Sequence, residues 1–170
     1  MIPEGMETPN FPFGQVTAAD VNGVMTVTGW VAVELPGPTP EELAAQLQEA
    51  KDTAVTASKT DLADYLLAHP LQWTDGEYYA ITAEKQSQLT SKIMAATLAA
   101  QASTPYTLTW NSTGEVCKEW TLTDLSALAF AIDARVTSLV TYQQQKEVEI
   151  RNCETVEAVN AVVVDYDTVQ

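Results

Sequence analysis

Apolar and polar positions alternate with a period of two in three places and recur every three or four residues in three others, with Gly and Pro between them. The first alternating run, Val24-Met25-Thr26-Val27-Thr28-Gly29-Trp30-Val31-Ala32-Val33, follows an Asn22-Gly23 dipeptide. That pairing of turn and strand chemistry predicts a hairpin between Gln15 and Val33. Pro3, Pro9, Pro12, Pro36 and Pro38 punctuate residues 1–38, so no helical period survives there. This segment reads as an extended, strand-forming N-terminal arm. Two strands alone are marginal in water, so the arm is expected to dock on something.

Residues 39–170 read as a helix–hairpin–helix–hairpin–helix domain. Thr39-Pro40-Glu41-Glu42 predicts a helix start, with Thr39 as cap, Pro40 in the first turn and Glu42 closing a capping box. Leu43, Leu47, Ala50, Ala54, Ala57, Leu62, Tyr65 and Leu66 mark its apolar stripe, and His69-Pro70 its stop. A Thr74-Asp75-Gly76 turn between aromatic residues predicts a second hairpin, after which Thr82 caps a helix striped by Leu89, Ile93, Ala96 and Ala100. Tyr106 to Trp110 alternates cleanly, Asn111-Ser112-Thr113-Gly114 is turn material, and Val116, Lys118, Trp120 and Leu122 continue the period on the return.

Thr123-Asp124 is read as the start of a long third helix, running to Asn152 on Leu125, Leu128, Ile132, Val136 and Leu139. Its Gln143-Gln144-Gln145 run thins the stripe, which suggests a solvated half or one packed on a partner, and pairing with a second copy stays open. A short helix at residues 155–159 and a closing strand at 162–166 complete the reading. The fold class is α+β and mainly helical, with three main helices and short antiparallel β-hairpins.

Charge narrows the function. Asp and Glu number 23 against 8 Lys and Arg, a net −15, and the first basic side chain is Lys51. Nucleic-acid binding depends on Lys and Arg to displace counterions, so no nucleic-acid partner is expected. No continuous run of about 18 apolar residues offers a membrane span, and no membrane partner is expected. The opening Met1-Ile2-Pro3-Glu4-Gly5 lacks a basic and an apolar signal region, which points to synthesis in the cytoplasm.

Candidate chemistry is sparse. Cys117 and Cys153 read as two reduced, half-buried thiols, and His69 as a helix-end imidazole. No phosphate cradle, nucleophile elbow or metal-ligand spacing is present, so no catalytic residue, metal or cofactor is expected. Asp61 with Asp64, Glu41 with Glu42 and Glu147 with Glu149 fall on polar helix faces. Trp110 and Trp120 on one hairpin, with Leu125, Leu128 and Ile132, are the predicted structural core. Tyr78 and Tyr79 are neighbours on a strand and point to opposite faces, so an interface role is open there. The Asn111-Ser112-Thr113 sequon is explained by its turn.

The order of elements resembles a family of phage and prophage tail-region proteins, the domain of unknown function 4376. The likeness is carried by Leu71-Gln72-Trp73 before a Leu- and Ile-bearing helix, by Leu108-Thr109-Trp110-Asn111 with Gly114, by Trp120-Thr121-Leu122 leading into Leu125 and Leu128, and by Thr155-Val156-Glu157-Ala158-Val159, over roughly residues 45–166. The family commonly shows an Arg after its first Trp, whereas Trp73 to Ser91 contains none here.

The resemblance implies a non-enzymatic tail-associated structural protein in the tail-fibre or baseplate neighbourhood, located in the virion, with tail-fibre or baseplate subunits as partners. On that reading Phe11, Phe13, Val24, Val27, Trp30 and Val31 of the arm, with Tyr78 and Tyr79, are the candidate docking residues, the arm adding a strand to another subunit's sheet. A tail-fibre assembly chaperone is the alternative expectation. Behind it stand an acidic DNA mimic that binds a host factor and a depolymerising enzyme with two close carboxylates.

Overall fold

The computed structural model describes residues 14–32 and 37–169, and the chain divides into two units, residues 1–43 and 44–170. In the first unit, β1 (Gly14–Val21) and β2 (Val24–Ala32) form an antiparallel hairpin. Asn22 and Gly23 both hold positive φ, 58° and 83°, as a two-residue turn matched to strand twist requires. The Asp20 carboxylate accepts the Gly23 N–H at 2.7 Å and fixes that turn. The register shifts between Thr17 and Ala18, so that Thr17 lies opposite Gly29 and Ala18 opposite Val27. A Cβ at Gly29 would sit 2.9 Å from Thr17 Oγ1, so a side chain here would require Thr17 to shift.

Helix α1 (Pro40–Ala68) opens on the predicted capping box. The Thr39 N–H reaches Glu42 Oε2 at 2.7 Å, and the Glu42 N–H reaches Thr39 Oγ1 at 3.2 Å. The second unit continues with β3 (Leu71–Gln72) paired to β4 (Tyr78–Tyr79), α2 (Ala83–Gln101), β5 (Thr109–Trp110) paired to β6 (Lys118–Glu119), α3 (Leu122–Asn152), α4 (Val156–Asn160) and a 3-10 turn at Tyr166–Thr168. The fold is α+β: three main helices carry it, and each sheet is a two-stranded antiparallel pair. Thr82 and Thr155 cap α2 and α4, their hydroxyls accepting backbone N–H groups three residues on.

Helix α3 is the spine of the unit. Its Leu125, Leu128, Ile132 and Leu139 are buried against Leu66 of α1, Leu89 and Ala96 of α2, and Tyr79, Ile81, Leu108 and Trp110 from the hairpin regions. Trp120 packs half-buried on the same cluster. Farther along α3, Ile150 forms a smaller cluster with Val55 of α1 and Val159 of α4. Helices α1 and α3 run antiparallel, as the cross-links show: Lys51 Nζ donates to Arg151 O at 2.8 Å, Lys59 pairs with Glu147 at 2.9 Å, and Arg135 reaches Tyr65 Oη at 3.3 Å.

Several sequence expectations are corrected. Helix α3 starts at Leu122 with Thr121 as its cap, because Thr121 Oγ1 accepts the Asp124 N–H at 3.0 Å and donates to its carboxylate at 2.7 Å. The Gln run divides, with Gln144 and Gln145 exposed and Gln143 turned inward. Gln143 is buried and its Nε2 donates to Ser58 Oγ at 3.1 Å, so this one residue of the run joins α3 to α1. On α1 the buried positions in the middle are Val55 and Ser58, while Ala57 is exposed. Residues 162–166 form no strand, since nothing pairs with them among the described residues; Tyr166 instead inserts its ring, and its Oη–H donates to Ser58 O at 2.6 Å. Cys117 is exposed, not half-buried, because it lies on the turn side of β6.

Candidate functional site

The docking residues expected from the sequence fall into three groups. Phe11 and Phe13 lie outside the described residues. On the first-unit hairpin, Val24 is exposed and Val27 half-buried, while Trp30 and Val31 are placed by register in β2, opposite Val16 and Gln15. Val21, Val24 and Met25 surround the turn with 48, 56 and 64 % of their surface exposed, so the tip is an apolar surface held open to solvent. Among the described residues this sheet has two strands only, and each strand keeps one unpaired edge.

Tyr78 and Tyr79 separate as their alternation requires. Tyr78 is exposed, but Tyr79 is fully buried, which removes it from the docking set. Its ring meets Trp120 edge-on at 5.7 Å, and its phenol donates to Asp75 Oδ2 at 2.8 Å. Trp110, Leu125, Leu128 and Ile132 are buried, and Trp120 is half-buried.

The sequence reading missed the group that joins the two short hairpins. Asp75, in the turn between β3 and β4, accepts Lys118 Nζ from β6 at 2.9 Å, the Tyr79 phenol, and the Glu77 N–H at 3.1 Å. The Thr113 N–H adds a bond to Tyr78 O at 2.7 Å, so the second hairpin's turn is tied to β4. Gly76 and Gly114, at φ 87° and 84°, permit the two turns. The Thr-Asp-Gly turn was legible, but a carboxylate bound to a lysine 43 residues away leaves no local signal.

These contacts set the electrostatics. Partial burial works to raise the Asp75 pKa, yet the bonds from Lys118, Tyr79 and the Glu77 N–H outweigh it and hold the carboxyl below its ordinary 3.8. Burial, then the bond to Asp75, pushes the Tyr79 phenol up from 10.0. The bond to Asp75 raises Lys118 above 10.5. Asp75 is therefore an ionised, paired acceptor, and both of its partners stay protonated near neutrality. A carboxylate so engaged serves as a structural tie between the two hairpins.

An open cleft of about 470 Å³ lies beside this tie, lined by Trp73, Thr74, Asp75, Lys118, Glu119, Trp120, Thr121 and Asp124. Lys118 Nζ stands 5.3 Å from the Trp120 ring centroid, and Asp124 is engaged by Thr121, so most of its polar lining is already bonded within the chain. Trp120 Nε1 is buried with no acceptor among the described residues. His69 is not among the residues lining this cleft; it is stacked on Tyr65 at 3.9 Å with its Nδ1 at 2.9 Å from Tyr65 O. Among the described residues no group of three or more His, Cys, Asp or Glu is placed to hold a metal ion.

What the arrangement provides is a stiff double hairpin presenting Tyr78 and, near its far turn, Val116 at 86 % exposure, together with an apolar hairpin tip in the first unit. Compared with models of protein families, with curated proteins and with solved structures, the chain matches none.

Proposed function

We propose that the protein is a non-enzymatic, tail-associated structural protein of a bacteriophage or prophage, working by docking to a tail-fibre or baseplate subunit. The observation that carries the docking part is the β1–β2 hairpin, whose two strands have unpaired edges among the described residues and whose tip exposes Val21, Val24 and Met25. An edge of this kind is a template for strand addition, with main-chain bonds supplying affinity and alternate side chains supplying selectivity. The bonded state of Asp75, Tyr79 and Lys118 supports the same reading, since the polar groups that gather there hold the scaffold together. The tail neighbourhood rests on the likeness to the phage family, in element order and in the residues around Trp73, Trp110 and Trp120.

Mass spectrometry of purified particles tests the proposal. The chain is expected in stoichiometric amount, and its complete absence from the particles overturns the structural role. Absence from particles combined with co-purification with immature fibres, and misassembled fibres when it is deleted, identifies an assembly chaperone instead.

A further inference from the structure

One 18-residue stretch of α3 is as apolar as a membrane-crossing helix, yet only 22 % of that stretch is buried within the molecule. The unburied residues are ordered. Ala127, Phe130, Ala134, Thr137, Thr141 and Gln144 are all exposed and follow one another at steps of three and four, with Val148 next in the series. That spacing draws a single straight seam along about six turns of helix, opposite the face that carries Leu125, Leu128, Ile132 and Leu139. Phe130 is 75 % exposed and Val148 59 %, whereas the seam contains no charged residue. Between Leu125 and Val148, Asp133 is the one charged side chain at an exposed position.

We propose that this seam is the contact between two copies of the chain, which pair through antiparallel α3 helices. Three observations select a second copy as the occupant. First, exposed Glu49, Asp52, Asp61 and Asp64 on α1 would repel a copy there, whereas the α3 seam itself carries no carboxylate and has Asp133 alone at its edge. Second, the seam fits itself. With Ala134 set against Thr137 of the copy, each Phe130 falls on Thr141 and each Ala127 on Gln144, so the one large side chain meets a small one and the centre allows close backbone approach. Third, a basic partner would find no carboxylate along the seam to recognise. Antiparallel pairing also sets the two helix dipoles in opposition. Thr137, Thr141 and Gln144 in the seam favour a protein surface over lipid, because hydroxyl and amide groups there would go unpaired in hydrocarbon.

The test uses the full chain. Sedimentation equilibrium should show a mass rising with concentration from 18.4 kDa to twice that value. Phe130→Glu, at an exposed position that leaves the fold intact by circular dichroism, should hold the mass at the monomer. With Cys117 and Cys153 replaced by Ser, a mixture of Ala127→Cys and Gln144→Cys chains should form a disulfide-linked pair under mild oxidation, and Ala127→Cys alone should not. A mass independent of concentration overturns the proposal, as does a Phe130→Glu chain that still doubles. Cross-linking of Ala127→Cys to itself overturns the antiparallel register. Flotation of a monomeric chain with phosphatidylcholine vesicles would assign the seam to a membrane surface instead.

Discussion

Ser58 and Gln143 make a buried polar pair between α1 and α3, and its removal has a calculable sign. Ser58 is 1 % and Gln143 4 % exposed; Gln143 Nε2 donates to Ser58 Oγ at 3.1 Å, and Ser58 Oγ donates to Val55 O at 2.8 Å. Ser58→Ala takes away the acceptor and strands a buried amide N–H, at a cost of about 1–3 kcal/mol. Gln143→Leu keeps the volume and removes the donor, leaving Ser58 bonded to Val55, so it forfeits only a net hydrogen bond of about 0.5–1.5 kcal/mol. The double variant strands nothing and should be more stable than Ser58→Ala alone. Urea unfolding followed by tryptophan fluorescence reads all three; with a slope of about 2 kcal/mol per molar, a 2 kcal/mol loss moves the midpoint by about 1 M. If Ser58→Ala leaves the midpoint in place, or the double variant is the least stable of the set, the pair is not the join between these helices.

The Asp75 tie yields a second ordering. Asp75→Ala should destabilise by about 1–3 kcal/mol because the buried Tyr79 phenol loses its acceptor, and Tyr79→Phe by less because Asp75 keeps its other donors; thermal melts at neutral pH compare them. The pKa shifts fix two pH limits. Asp75 is lowered from 3.8, so its contribution is complete above that value and is lost as pH falls through the folded value below it, a loss that Asp75→Asn should blunt in an acid titration of unfolding. Tyr166 is pushed up from 10.0 to about 12 by burial and then by Asp61, so its contribution is complete below pH 10 and is lost as pH rises from 10 to about 12. Tyr166→Phe should flatten that alkaline limb, and an unchanged limb would place the loss in another group.

Local signals read well in this chain and long-range ones did not. The caps at Thr39 and Thr82 are settled within three residues, so sequence alone placed them, whereas Thr155, read as part of the short helix, proves to be its cap. The apolar stripe of α3 was equally plain, because Leu125, Leu128, Ile132 and Leu139 must share one face whatever they touch. At the start of α3 the nearer signal was overlooked: Thr121 and Asp124 are three apart, the spacing of a capping pair, and that pair rather than Thr123 sets the boundary. Residues 162–166 are β-branched enough to suggest a strand, but a strand exists only where a second one pairs with it.

The candidate site shows the same division. Alternation separated exposed Tyr78 from buried Tyr79 in principle, without saying which went inside; Trp120 and Asp75 decide that, and both contacts are tertiary. Gln143 misled because a lone Gln in a polar run looks solvated until Ser58, 85 residues earlier, is brought beside it.

Amide hydrogen exchange on the first-unit hairpin tests the docking claim most directly, comparing the purified chain with the same chain in assembled particles. A two-stranded sheet with unpaired edges should exchange quickly on its own. The account predicts that amides of β1 and β2 become strongly protected in the particle while those in the core of α3 change little. Equal exchange of the hairpin amides in both states would contradict it.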